Sequence, residues 1–231
     1  MHKRLIRYWS QDRSLSALLM VLVIELFVLV PRSEGGQIIQ LGADLLFSLI
    51  LLAGIVTLTK RKTLRLVFSI LVVLSVLIHW ARMGLSIVSL IGWDFLFSSI
   101  AVLAMLTVTL RLVYQDGPVT SHRIQGAVAA YLLIGVLFGR AYALISFLVP
   151  GAFSVSPTLM QVLPPGNMQT YYYFSISTLT TAGFGDITAV ASWARSFVMV
   201  EALVGQLYPA ILIARLVGLA VATGSKIKGK E

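Results

Sequence analysis

The sequence contains no cysteine and very few charged residues. The absence of cysteine excludes disulfides, thiolate metal ligands and cysteine nucleophiles. Charged residues make up 12% of the 231 residues and hydrophobic residues 58%, which leaves too little polar surface to cover a soluble globule of this size. Among the charged residues, acidic ones are fewer than basic ones, with 9 Asp and Glu against 18 Lys and Arg. The composition therefore predicts an integral membrane protein.

Motifs typical of enzymes are also missing. No His-Glu-x-x-His zinc motif, nucleophile elbow or phosphate-binding loop occurs, and the three histidines lie far apart in the sequence. We expect no catalytic residues, no cofactor and no enzymatic activity. The net charge of +9 does not predict nucleic-acid binding, because the basic residues fall mostly between long apolar runs.

Six apolar runs approach or reach the roughly 20 residues that a spanning helix needs. They lie at about 15–30, 38–59, 64–82, 91–113, 124–148 and 194–217. The first run follows a basic start, but no small-residue cleavage site follows it, so we interpret it as a spanning helix rather than a signal peptide. Most Lys and Arg residues fall on one side if both termini are cytoplasmic. The expected fold is an all-α polytopic protein of the cell membrane.

The segment between the fifth and sixth runs is too long for a turn. Prolines and glycines punctuate residues 150–166 and are expected to stop any helix there. Asn167 is a suitable N-cap for a helix over Gln169–Thr180, which is too short to span and should enter the membrane and stop halfway. Its C-terminus would point the negative end of its dipole at a cation. The chain then returns through Gly183 and Gly185, which reach the positive φ values that turn successive carbonyl groups the same way.

The returning segment reads Thr-Thr-Ala-Gly-Phe-Gly-Asp over residues 180–186. It resembles the Thr-Thr-Val-Gly-Tyr-Gly-Asp selectivity filter of potassium channels, and the resemblance extends from Tyr171 to Val217. The resemblance implies that carbonyl groups, with the hydroxyl of Thr181, replace the water shell of K⁺ as the permeant ion. The residues that it assigns to ion binding are Thr181, Ala182, Gly183, Phe184 and Gly185, the first four as the K⁺ ligands.

The resemblance also implies supporting and gating positions. Those assigned to support of the filter are Thr180, Asp186 at the outer mouth, Ser177, Tyr173 and Phe174. Gly205 falls at the gating hinge of the family, and Pro209 adds a second bend. Phe184 lacks the hydroxyl of the usual tyrosine and Ala182 is smaller than valine, which leaves a less selective monovalent cation channel as an alternative.

One chain contains one such string, whereas a closed tube needs four copies, so we expect a homotetramer. The expected domains are a cytoplasmic N-terminus (1–14), a four-helix peripheral domain (15–113), a cytoplasmic linker (114–123), a pore domain (124–217) and a short basic tail (218–231). The fourth run contains only Arg111, so weak or absent voltage gating is expected. A non-conducting accessory or transporter subunit is the alternative from another class.

Several charges lie within or near the apolar runs. Glu25, Asp44, His79, Arg82 and Asp94 are expected to pair in a structural cluster, with a ligand or proton sensor at His79 as the alternative.

Arg140 and Glu201 fall at similar depth, which suggests a salt bridge behind the filter. The alternative is that Glu201 bonds to hydroxyl groups such as those of Ser177 or Thr178. The basic cluster Lys60–Arg65 is expected to set topology, and such runs also attract anionic lipids.

Overall fold

The computed structural model describes residues 15–29, 42, 44–51, 62–85, 90–115, 120–160 and 167–228, and within them the fold is mostly helical. The first helix, α1, is α-helical over 15–24 and ends as a π-helix at Glu25–Leu29, and α2 covers 44–51. The remaining elements are α3 (Lys62–Leu85), α4 (Leu90–Val113), α5 (Ser121–Leu148), β1 (Phe153–Val155), α6 (Pro157–Met160), α7 (Met168–Leu179), β2 (Ile187–Ala189) and α8 (Ser192–Lys228).

Three helices in the described part of the chain are long and apolar enough to cross a membrane. They are Leu90–Val113, Ser121–Leu148 and Ser192–Leu219. These correspond to the fourth, fifth and sixth predicted runs. Two shorter apolar helices, Leu15–Val28 and Phe68–Ala81, correspond to the first and third. Most of the second run lies outside the described residues, so the count of six spans stays a prediction.

Helices α5 and α7 pack antiparallel through two glycines one turn apart on α5. A Cβ added to Gly135 would lie 2.7 Å from Cδ1 of Ile176, and one added to Gly139 would lie 2.6 Å from Cδ1 of Tyr172. The contacts run in opposite sequence directions along the two helices, so α7 enters from the end at which α5 finishes. Small residues let the helices approach closely, as is common where lipid leaves no hydrophobic drive for association.

A two-stranded antiparallel sheet joins the segment after α5 to the segment after α7. Strand β1 pairs with β2 so that Ser154 lies opposite Thr188. The amide of Ser156 donates to the carbonyl oxygen of Asp186 over 2.8 Å. Prolines were expected to stop any helix here, but Pro157 instead begins the short helix α6, because a proline at the first helical position loses no intrahelical bond.

An apolar cluster next to this sheet packs against α7. It includes residues of five elements, among them Phe95, Tyr142, Val155, Phe174 and Ile187. The ring of Phe174 lies 5.1 Å from that of Tyr142 and 5.6 Å from that of Phe153, between centroids. Phe174, predicted as a supporting residue, is therefore a buried packing residue that anchors α7 to α5 and β1.

Candidate functional site

The site is built on α7, whose ends are both fixed by hydrogen bonds. The side chain of Asn167 accepts from the amide of Gln169, which confirms the predicted N-cap. At the other end, the carbonyl oxygen of Leu179 accepts from the hydroxyl of Tyr131 on α5 over 3.0 Å. The helix has 12 residues, about 18 Å, which is too short to cross a bilayer.

The loop at residues 180–186, which follows α7, alternates between two backbone conformations. Thr181, Gly183 and Gly185 have positive φ values of 60°, 53° and 79°. Left-handed conformations cost a residue with a side chain about 1–2 kcal/mol but cost glycine little. The positive φ at the two glycines was predicted, while that at Thr181 was not. Alternation of this kind turns successive carbonyl groups toward the same side of the chain.

The amide groups of this loop bond back to the end of α7. Ala182 and Gly183 donate to the carbonyl oxygen of Ser177 over 2.9 and 3.2 Å, and Thr181 donates to that of Thr178 over 2.9 Å. Ser177 therefore supports the loop through its backbone. Among the described residues, no backbone amide outside the helices and strands donates to a carbonyl oxygen of residues 181–185. Carbonyl oxygens that accept no hydrogen bond within the protein can serve as cation ligands.

Tyr173 on α7 contacts the loop at two points. Its ring stacks on that of Phe184, with 6.1 Å between centroids and 7° between planes, and its hydroxyl donates to Oδ2 of Asp186 over 2.5 Å. Oδ1 of Asp186 accepts from the amide of Ile187 over 3.0 Å. Burial and then the hydrogen bond to Asp186 raise the pKa of Tyr173 to about 12, so this hydroxyl keeps its proton at physiological pH. The predicted supporting residues Tyr173 and Asp186 thus contact one another.

The remaining predicted support, Thr180, is bonded locally. Its hydroxyl donates to the carbonyl oxygen of Ile176 over 2.7 Å, which closes the last turn of α7. The exposed residues 180–185 follow at once, and Phe184 is 69% exposed in the isolated chain. Within one chain, therefore, the loop is largely uncovered over residues 180–185.

Residues 132–222, which contain this loop and the helices on either side of it, match the family model described as "Ion channel". This part of the chain is therefore similar to an ion channel domain. Searches of curated proteins and of solved structures gave no significant match. An ion channel domain together with long apolar helices makes this a membrane protein and supports passive ion conduction.

Within the ion channel domain, Gly205 of α8 lies against the end of α7. A Cβ on Gly205 would lie 2.0 Å from the carbonyl oxygen of Leu179, so only glycine permits this approach. Pro209 lies inside α8, which continues through it. Because a proline has no amide hydrogen, the carbonyl of Gly205, four residues earlier, lacks its usual helical donor. The two predicted gating residues, Gly205 and Pro209, therefore affect the same turn of α8. Their role as a hinge stays a prediction.

Arg140 and Glu201 do not form the predicted salt bridge in the described structure. Arg140 donates to Oγ of Ser98 on α4 over 2.6 Å, and its guanidinium lies 3.7 Å from the ring centroid of Phe47. Glu201 accepts instead from the hydroxyl of Tyr142 on α5. Arg140 and Tyr142 are two positions apart, about 200° around the helix, so only one of them faces α8. The prediction considered only the depth of the two residues along their helices. The direction in which each side chain leaves its helix decides its partner.

Glu201 also lies 2.5 Å from Oγ of Ser175 on α7. The alternative prediction, a bond to a hydroxyl of this helix, therefore identified the right helix but named Ser177 or Thr178. Sequence reasoning missed Tyr131, Tyr142 and Ser175. Their signal was the pair Gly135 and Gly139, whose spacing of four marks the face of α5 that receives α7.

A buried polar cluster in the peripheral helices forms largely as predicted. Nδ1 of His79 lies 3.1 Å from both carboxylate oxygens of Asp94, and Nε2 lies 3.2 Å from Oδ1 of Asp44, within ion-pair distance. Glu25 interacts electrostatically with Asp44 and Arg140. The side chain of Arg82 lies outside the described structure, and so do those of the Lys60–Arg65 cluster.

Arginines at the other end of the molecule bind the C-terminus of α4. Arg123 of α5 donates to the carbonyl oxygen of Val113 over 2.9 Å and also to that of Gln115. Arg215 of α8 donates to the carbonyl oxygen of Tyr114, and its guanidinium lies 5.0 Å from the Tyr114 ring centroid. Cations are favourable at a helix C-terminus. Arg123 thus attaches α5 to the end of α4, and Arg215 attaches the part of α8 that follows Pro209 to the same place.

Proposed function

We propose that the chain is the subunit of a homotetrameric potassium channel, whose selectivity filter is formed by the loops at residues 180–186. The carbonyl oxygens of Thr181, Ala182, Gly183 and Phe184 bind K⁺ in place of water, together with the hydroxyl of Thr181. The observation that supports this most is the conformation of the loop. Every second residue from Thr181 to Gly185 has a positive φ, and amide groups of the loop donate to carbonyl oxygens at the end of α7. Within the described residues, the carbonyl oxygens of the loop accept no backbone hydrogen bond from other loops or turns. Conduction is passive and needs no cofactor.

A tetramer is proposed because one chain supplies only one side of such a tube. Helix α8 supports it, since 17% of its apolar window is buried within one chain against 61% of that of α5. Apolar residues along α8, such as Leu203, Leu207 and Ile211, are more than half exposed. In the proposed assembly, neighbouring copies and membrane lipids cover this face, with both termini cytoplasmic in the cell membrane. Anionic lipid head groups are proposed as partners of the Lys60–Arg65 cluster, because juxtamembrane basic runs attract them.

Voltage dependence is proposed to be weak. Arg111 is the charged residue near the cytoplasmic end of α4, and moving one charge through 100 mV yields only about 2.3 kcal/mol. The second candidate is a less selective monovalent cation channel, which is favoured by Phe184. Its ring has no hydroxyl to bond to the residues behind the filter, and it contacts α7 by stacking on the ring of Tyr173.

Two glycines provide a matched test of the proposed filter. Gly185 and Gly151 have φ values of 79° and 80°, and neither has any atom within 4 Å of an added Cβ. Gly185→Ala and Gly151→Ala therefore introduce the same backbone strain, of about 1–2 kcal/mol, at different places. With purified protein in liposomes, we expect Gly185→Ala to abolish K⁺ flux and Gly151→Ala to retain it. Equal effects of the two substitutions would contradict the assignment of the filter, and absence of wild-type flux would favour the accessory-subunit alternative.

A further inference from the structure

Glu201 joins three helices at a point behind the 180–186 loop. Its side chain is fully buried, with 0% of its surface exposed. Oε2 accepts from the hydroxyl of Tyr142 over 2.5 Å, and Oε1 lies 2.5 Å from Oγ of Ser175. The same Oγ lies 2.7 Å from the carbonyl oxygen of Gly135. Helices α5, α7 and α8 thus meet through one carboxyl group.

The number of hydrogens in this junction determines the protonation of Glu201. A serine hydroxyl donates one hydrogen bond, and a carbonyl oxygen only accepts. If Glu201 were ionised, the single hydroxyl hydrogen of Ser175 would face two acceptors, Oε1 of Glu201 and the carbonyl oxygen of Gly135. One of these two short contacts would then have no hydrogen between its oxygen atoms. With a proton on Oε1, Glu201 donates to Ser175 and Ser175 donates to Gly135. The hydroxyl of Tyr142 then donates to Oε2, and every group is paired.

Among the residues that the structure describes, no cation lies within ion-pair distance of Glu201. Neither of the ion pairs among the described residues includes it. The titratable groups that face it are both tyrosines of α5, Tyr142 in direct contact and Tyr131 at longer range. A buried, unpaired carboxylate in a spanning helix is costly, whereas a neutral acid whose two oxygens are both hydrogen-bonded is not.

We propose that Glu201 is a neutral carboxylic acid whose proton, donated to Ser175, positions α7 and hence the filter. This inference rests on the proposed channel function. Glu201 is a positioning residue, because it acts on the ion path through Ser175 and α7. It places no negative charge behind the filter. Glutamine, whose amide nitrogen can donate to Ser175 and whose oxygen can accept from Tyr142, is therefore expected to replace it.

Infrared spectroscopy tests the proton without requiring conduction. The wild-type spectrum minus that of Glu201→Gln is expected to contain a carboxylic acid C=O band. In Ser175→Ala that band persists but shifts, because its hydrogen-bond partner is gone. A difference spectrum with only the two carboxylate stretching bands would overturn the proposal.

Flux measurements test the positioning role. We expect Glu201→Gln to retain K⁺ flux within about twofold, and Glu201→Ala to lose at least about tenfold, because it leaves buried polar groups unpaired. Ser175→Ala and Tyr142→Phe, which keep their helices and volumes, are expected to fall in between. Loss of flux in Glu201→Gln equal to that in Glu201→Ala would overturn the proposal. If the wild type carried no K⁺, the proposed function would fail, while the infrared result would still decide the proton.

Discussion

The hydroxyl of Tyr173 donates to Asp186 while its ring stacks on Phe184, so one side chain of α7 holds two residues of the loop. Phe184 lacks the hydroxyl of the tyrosine that stands at this position in the potassium-channel string that residues 180–186 resemble. Here the hydroxyl comes from α7 and binds the residue two positions further along the chain. The departure at Phe184 is therefore accompanied by a different bond rather than by a simple loss.

Removing this hydroxyl is expected to weaken selectivity. Tyr173→Phe keeps the ring stack but deletes a hydrogen bond to a carboxylate, a type worth about 1.5–3 kcal/mol. We expect a lower K⁺ over Na⁺ permeability ratio, measured from reversal potentials in mixed salts. Asp186→Asn is the matched partner in a double-mutant cycle. Additive effects of the two substitutions would show that the bond does not act on the filter.

Adding a methyl group at Gly205 is expected to displace the end of α7. The added Cβ would meet the carbonyl oxygen of Leu179 at 2.0 Å. Overpacking of this kind costs about 1–3 kcal/mol, and here the atom displaced is backbone. Gly205→Ala should lower both the melting temperature in detergent and the K⁺ flux.

Gly218, on the same helix, is the matched control for this substitution. An added Cβ there has nothing within 4 Å. Gly218→Ala is expected to leave the melting temperature unchanged or to raise it, because alanine favours a helix by up to about 1 kcal/mol over glycine. Similar melting temperatures for Gly205→Ala and Gly218→Ala would contradict the close approach to α7.

Arg215 is expected to influence gating, because it attaches the part of α8 beyond Pro209 to Tyr114 at the end of α4. Arg215→Gln removes a cation from a helix C-terminus, which is worth about 0.3–1 kcal/mol, or roughly a two- to fivefold change in open probability. Arg111→Gln removes the same charge from an exposed position nearby and serves as the control. Single-channel recording distinguishes them, and equal open probabilities in the two variants would argue against the attachment.

The cluster around His79 is expected to stabilise the peripheral helices. His79→Leu leaves the buried Asp94 and the partly exposed Asp44 without the ring between them, and loss of one member of a buried pair such as His79 and Asp94 costs about 3–5 kcal/mol. A large fall in melting temperature should follow, with partial recovery when Asp94→Leu is added. An unchanged melting temperature would remove the structural interpretation and favour the proton-sensor alternative.

The site was predictable from sequence where local rules apply. Asn167 caps α7, and Gly183 and Gly185 take positive φ, because capping and backbone sterics depend on neighbouring residues only. The fourth and fifth apolar runs are helices with nearly the predicted bounds, since length and hydropathy decide them. The sixth begins near the predicted residue but continues to Lys228, beyond the predicted end at 217.

What sequence could not provide was the direction of side chains between helices. Arg140 and Glu201 were predicted to pair because they lie at similar depth. Their positions around the helix differ, so Arg140 of α5 binds Ser98, and Tyr142 of the same helix binds Glu201. The pairing of β1 with β2 was missed as well, because each strand has three residues and its partner lies more than 30 positions away. Such contacts depend on how the helices pack, which no local pattern records.

The central claim is that the loops at residues 180–186 conduct K⁺ selectively, and the reversal potential of the purified protein tests it most directly. In planar bilayers with KCl on one side and NaCl on the other, the account predicts a current whose reversal potential lies close to the K⁺ equilibrium potential. Gly185→Ala should abolish this current. A reversal potential near zero, or a current unchanged in Gly185→Ala, would contradict the account.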